Sequence, residues 1–335
     1  MTKTVLFGSV PVALAVKDAA LAFLIAPLIE ELPESDTALP RFSCIVETAA
    51  ALHRPDDAAL VHDGSLGAGF SSIGQIHAAA HKEWLIVNGV GSVEVDDLKR
   101  SAQIFVLASA DRLATATLML YAIDAALYRT GQHLVHGAGL LLPSQERAVL
   151  IFAPSGGGKT TASLALALRG FRMLTDDALV LEQSVARVWG LPRAMKVHRR
   201  TAELLPALQS SFGPAWNQDG EQVLTRKAFA ALGGVAHESS DVAAVFVLGD
   251  RSPAGHRIAP ISKAEVLVAL ASDNVGTSRR GVIKRQVRKM ESLASLVAGV
   301  PSARLSVGTE LSSLASCICA FCANHDPHST QAASA

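Results

Sequence analysis

A chain of 335 residues, half of them apolar and 18% charged, is long and apolar enough to bury one large core or two ordinary ones. Its 30 basic and 30 acidic side chains cancel, leaving no broad electrostatic case for binding nucleic acid or an anionic membrane surface. Four cysteines, three of them bunched near the C-terminus, suit a reducing compartment better than a disulfide scaffold.

The apolar stretch over 5–30 is interrupted by Lys17 and Asp18, and the runs of about 12 residues on either side are too short to span a bilayer. No small-residue cleavage pattern follows it. It reads as a strand over 4–10 and a helix over 17–32, and the chain as cytoplasmic. Further on, 42–46, 84–87 and 102–107 have strand character, 64–69 reads as a turn, and Arg54-Pro-Asp-Asp57 is loop chemistry. Leu113, Leu118, Leu120, Tyr121 and Leu127 among alanines predict a helix over 111–128. It is expected to pack on the sheet that carries the glycine-rich loop described below. Nothing in 1–130 connects to chemistry.

A strand-like run containing His133 and His136 ends at Pro143. Two histidines three apart on a strand face opposite ways, which argues against a shared metal site. Next, Arg147-Ala-Val-Leu-Ile-Phe152 is an apolar run of strand type, and it feeds Ala153-Pro-Ser-Gly-Gly-Gly-Lys-Thr160. An Ala/Leu-rich segment follows and ends at Gly170, a helix with its C-terminal glycine. Strand, glycine loop and helix together aim backbone N–H groups and the positive end of a helix dipole at a polyphosphate. Ser155, Gly156, Gly157, Gly158, Lys159, Thr160 and Thr161 are thus the candidate nucleotide-binding residues. Lys159 would meet the β- and γ-phosphates of ATP, and the Thr160 hydroxyl would sit on Mg²⁺. The one departure from G-x-x-x-x-G-K-[ST] is Ala153 in place of the leading glycine.

The strand over 171–175 then runs into Asp176-Asp177 and continues over 178–182. Paired carboxylates beside a phosphate loop suit Mg²⁺–nucleotide chemistry. One can hold the metal, and the other can take a proton from an attacking hydroxyl. Basic groups gather just beyond, in Gly190-Leu-Pro-Arg193-Ala-Met-Lys196-Val-His198-Arg-Arg200, within reach of phosphates or as a solvated patch. A strand is expected over 242–248, and Ser262 with Glu265 has the form of a capping box. Arg279 and Arg280 sit where a mobile loop could bring an arginine to a γ-phosphate. Cys317, Cys319 and Cys322 lie on a Leu311/Leu314/Ile318 helical pattern, which makes partly buried thiols on a helix a simpler account than a metal site.

Val135-His136-Gly137, the loop 153–160 and Arg169-Gly-Phe-Arg-Met-Leu-Thr-Asp176-Asp177, in that order, resemble the catalytic domain of HPr kinase/phosphorylase and its relatives. The resemblance covers roughly 130–310. It implies an α/β P-loop domain of the HPr kinase/phosphoenolpyruvate carboxykinase type, with an N-terminal α+β region packed on it. The domains implied are 1–130, a catalytic domain over 131–322, and a flexible tail over 323–335. By the same resemblance, Lys159 and Thr160 bind phosphate and metal, Asp176 supports the metal, Asp177 is the general base, and His136 is the active-site histidine. The family's Arg-Gly-x-Gly-x-x-Asp signature is absent, with 190–197 near its place. The chain looks most like the biosynthetic-cluster members, among them kinases that phosphorylate a serine of a lasso-peptide precursor. The function implied is ATP- and Mg²⁺-dependent phosphorylation of a serine on a peptide or protein, without nucleic acid or membrane. Self-association is implied too, since kinases of the HPr family are hexameric. The alternatives are a bifunctional HPr serine kinase/phosphorylase and a nucleotide-binding regulator without catalysis. A transport ATPase would need a Leu-Ser-Gly-Gly-Gln-like signature and a downstream Asp-Glu strand end, and neither is in the sequence.

Overall fold

A computed structural model describes residues 1–325 apart from 37–38, 53, 56, 68–72, 144, 184, 192, 237–238, 277 and 279, and of 27, 112 and 113 the backbone alone. Of the expected tail over 323–335, residues 323 and 324 instead end a helix, and its part beyond 325, Arg279, the Leu113 side chain and the far end of the turn over 64–69 lie outside the described residues. The fold is mixed α/β. Contacts divide it into two compact units: Met1–Val135 with Glu182–Ser184 and Ala271–Ser292, and His136–Leu181 with Val185–Leu270 and Leu293–Ala335.

The first unit contains β1 (Thr2–Phe7), β2 (Val10–Val16), α1 (Ala19–Ile29), β3 (Phe42–Ala49), β4 (Ala59–Ser65), β5 (Ile73–Ala79), β6 (Lys82–Val87), β7 (Gly91–Asp96), β8 (Ser101–Leu107) and α2 (Arg112–Tyr128). Its sheet runs β1-β2-β3-β8-β7-β6-β5-β4. Pairing is parallel at β2–β3 and β3–β8 and antiparallel elsewhere. Two expectations are corrected here. The single strand over 4–10 is a hairpin, because Gly8 and Ser9 make a two-residue turn that pairs Phe7 with Val10, and the helix begins only at Ala19. The helix over 111–128, capped where the Asp111 side chain accepts from the Ala114 N–H at 2.7 Å, packs on β7, β8 and β2 of this sheet. These are strands of the first unit's own sheet, where the sequence reading expected the sheet of the glycine loop. A short turn joins it to β8, so its apolar surface folds back on the strands it has just left.

The chain continues through β9 (Gln132–His136), β10 (Ala138–Leu141), β11 (Arg147–Phe152), α3 (Lys159–Ala167), β12 (Arg172–Thr175), β13 (Ala178–Glu182), β14 (Arg187–Gly190) and β15 (Met195–His198). Then come α4 (Arg199–Leu204), β16 (Glu221–Leu224), α5 (Arg226–Ala230), β17 (Gly234–Val235), β18 (Ser240–Leu248), β19 (Arg257–Pro260), α6 (Lys263–Asn274), α7 (Lys284–Gly299), β20 (Ser302–Ser306) and α8 (Leu314–Asn324). In the second unit the sheet reads β17-β12-β10-β11-β18-β14-β13, with β20 also on β18 and β19 on β20. Leu164 and Leu166 of α3 are buried against a core that includes Phe171, Phe246 and Ile318. Each such side chain is worth about 2–3 kcal/mol of burial. The cysteines near the C-terminus lie on α8, where Leu314, Ile318 and Cys322 form the buried face, as the periodicity predicts.

One feature of this sheet places the site. β10 is antiparallel to both of its neighbours, β11 and β12, so those two run in the same direction with one strand between them. Their C-terminal ends and the N-terminal start of β10 therefore meet at a single sheet edge. Ala138 pairs with Ile151, and Gly139 with Thr175. Three sequence stretches are thereby made neighbours: 136–137, 153–160 and 176–177.

Candidate active site

The loop 153–160 leaves β11 and turns through a hydrogen bond from the Gly157 N–H to the Pro154 carbonyl at 2.9 Å. Gly158, at φ +95°, caps α3 in the left-handed region, where a side chain would be strained. Ser155, Gly156 and Gly157 stand exposed, while Lys159 is buried and its Nζ donates to the Ala153 carbonyl at 2.5 Å. The alanine replacing the motif's first glycine thus leaves its carbonyl free to receive the lysine. Thr161, next along the helix, exchanges a hydrogen bond with the Thr201 hydroxyl of α4 at 2.7 Å.

From the end of β12, Asp176 and Asp177 take up different environments. Asp176 is 6% exposed, and its Oδ2 accepts from the Thr160 hydroxyl at 3.2 Å. Burial, and then the charge of Asp177, push its pKa up to about 7 against the pull of Thr160 and Arg193. Asp177 keeps 42% of its side-chain surface open. Its Oδ1 lies 3.0 Å from Nδ1 of His136, and its Oδ2 accepts from NH1 of Arg193 at 2.7 Å. Burial works against its charge too, but that opening to solvent weakens the penalty. The His136 hydrogen bond and the charges of Arg193, His136 and Lys159 hold its pKa well below the usual carboxylate range. The carboxylate raised by its neighbour is therefore Asp176, and Asp177 is the one kept ionised.

The two segments are also tied by backbone, since the Gly137 N–H, next to His136, donates to the Asp177 carbonyl at 3.0 Å. Glycine at 137 makes room for the Phe152 ring, since a Cβ there would stand 2.7 Å from it and force the ring to shift. As opposite faces of a strand require, His133 points elsewhere and is fully buried in the first unit.

The structure therefore brings together His136, Asp177, Thr160, Asp176 and Lys159 within the second unit. Of the two arginines proposed for a γ-phosphate, Arg280 belongs to the first unit and Arg279 lies outside the described residues. Sequence reading did not single out Arg193 within the basic segment. Its signal was position alone, just past the Asp-Asp strand. Lys196, His198, Arg199 and Arg200 are exposed, with His198 3.4 Å from Glu221 and Arg199 over the Trp216 ring at 5.7 Å. Thr201 was not anticipated at all.

A hydroxyl and a carboxylate within one hydrogen bond are an all-oxygen donor set of the kind Mg²⁺ takes, and the exposed glycine loop leaves backbone N–H groups open for phosphate. The residues thus fit a nucleotide and its cation. No family model matches this chain, and no curated protein matches it significantly.

Proposed function

We propose that the chain is an ATP-dependent kinase that phosphorylates a hydroxyl, with a serine of a peptide or protein as the acceptor. One observation carries this reading: Asp176 sits on Thr160 while Asp177 sits on His136, at the one sheet edge where the glycine loop opens. Thr160 and Asp176 would hold Mg²⁺, and the loop N–H groups with Lys159 would hold the triphosphate. The nucleotide supplies the transferable phosphoryl group, and the cation neutralises its oxygens. His136 orients the Asp177 carboxylate, which accepts the proton of the acceptor hydroxyl. The acceptor oxygen then takes the terminal phosphoryl group as the bond to the departing diphosphate breaks.

The test is incubation of the full chain with Mg²⁺–ATP and serine-containing peptides, read by mass spectrometry for added phosphate. Lys159→Ala should abolish transfer. Asp177→Asn should slow it about 10²–10⁴-fold while nucleotide binding persists. Full activity in Asp177→Asn would remove Asp177 as base, and failure to bind Mg²⁺–ATP would end the kinase reading.

A second reading, nucleotide binding without transfer, is favoured by one fact: both Asp177 oxygens already have a basic partner. Binding of ATP with no peptide labelled, in wild type and Asp177→Asn alike, would select it.

A further inference from the structure

Building on the kinase reading, we infer that Arg193 is the residue that recognises the terminal phosphate, leaving Asp177 for it when a nucleoside triphosphate binds. Three observations support the inference. The first is place. Arg193 reaches Asp177 at 2.7 Å, and its charge also acts on Asp176, which meets Thr160 in the first turn of α3, so the guanidinium is linked to the loop's end through the two aspartates.

The second is the backbone that carries it. Leu191 is buried and held from both sides: its N–H donates to the Ala178 carbonyl at 2.9 Å, and its carbonyl accepts from the Thr175 hydroxyl at 3.3 Å. Met195, two residues beyond, is buried at the start of β15. Arg193 thus lies between two buried residues, Leu191 and Met195, and is itself partly buried. Its basic neighbours Lys196, Arg199 and Arg200 are exposed.

The third is competition for Asp177. One carboxylate is shared between His136 on Oδ1 and Arg193 on Oδ2. A guanidinium presents a planar fork that suits a phosphate's paired oxygens, and a terminal phosphate carries more charge than one carboxylate. Moving the fork to the phosphate would leave His136 on Oδ1 and open Oδ2 toward the acceptor hydroxyl. It also resolves the difficulty that both Asp177 oxygens are engaged in the ligand-free chain.

The experiment is calorimetric titration of the full chain with Mg²⁺–ATP and with Mg²⁺–ADP, which differ only in the phosphate Arg193 would meet. Wild type should prefer ATP. Arg193→Gln should weaken ATP binding about tenfold and leave ADP binding unchanged, with Arg193→Lys in between. Asp177→Asn cuts the same ion pair from the other side but frees the guanidinium, so it should keep or widen the preference for ATP. Equal loss of ATP and ADP in Arg193→Gln, or loss of the preference in Asp177→Asn, would make Arg193 a mere structural partner of Asp177 and overturn the inference. Wild type that binds neither nucleotide would instead remove the kinase reading and this inference with it.

Discussion

At the scale of single residues, two histidines three positions apart have opposite fates. His133 has no exposed surface, and neither ring nitrogen finds a hydrogen-bond partner among the described residues. Burial pushes its pKa down to about 4; Asp124 and Glu291 resist the shift, while Lys289 and Arg285 add to it. The folded chain therefore holds this ring neutral where the unfolded chain protonates it near 6.5. Between those values the unfolded state binds more protons, so stability should fall as pH drops from about 6.5 to about 4 and level off below that. The loss is at most about 3 kcal/mol. Urea unfolding across this range should show that slope in wild type and a flatter one in His133→Leu; an unchanged slope would assign it to other groups. Strand periodicity could separate the two histidines but could not say which one was chemical. Burial alone would have favoured His133. The resemblance singled out His136, and the Asp177 contact at 3.0 Å is something no spacing rule supplies.

At the scale of elements, the loop and its flanks were legible because each signal is local: an apolar run, glycines, then an Ala/Leu helix ending at Gly170. The capping box was legible for the same reason. The Ser262 N–H donates to Glu265 Oε2 at 3.1 Å, and the Glu265 N–H donates back to Ser262 Oγ at 3.2 Å. What was not legible is which strands neighbour which. Short apolar runs such as 138–141 and 172–175 carry no mark of their partners, yet the β11-β10-β12 order makes the site. The close approach of β14 was hidden likewise, since Gly190 stood in the sequence only as the start of a basic segment. A Cβ at Gly190 would lie 2.2 Å from the Leu174 carbonyl. Gly190→Ala should therefore force the strand outward and cost about 2 kcal/mol or more, measured by thermal or urea unfolding. Because Leu191 and Arg193 follow directly, the same variant should weaken Mg²⁺–ATP binding. An alanine accepted at full stability would show that β14 can shift without disturbing its neighbours.

At the scale of the whole molecule, the chain is not two consecutive halves. Ala271–Ser292 returns to the first unit and brings Arg285 and Lys289, one helical turn apart on α7. Sequence reading gave neither of them a role. In the structure they are 6% and 2% exposed and close on a buried carboxylate. Lys289 lies 3.2 Å from Asp124 Oδ1 and Arg285 Nε 3.7 Å from Oδ2. Arg285 also reaches Glu83 at 2.5 Å and lies over the Tyr121 ring at 4.2 Å. The two cations hold the Asp124 pKa below the usual range against its burial, which is the largest influence on it. Removing one side of such a cluster strands buried charge, at a cost of about 3–5 kcal/mol. That is comparable with the whole stability of many domains. A fragment of residues 1–135 lacks both cations, so it should fail to fold stably although it contains every strand of the first sheet. Dispersed amide NMR signals and a cooperative unfolding transition in that fragment would disprove this. Asp124→Leu in the fragment should recover part of the loss, because it removes the stranded charge. In the full chain the same substitution should destabilise by leaving Arg285 and Lys289 buried without that partner. Opposite signs from one substitution in the two contexts would locate the stabilisation in the returning segment rather than in the sheet.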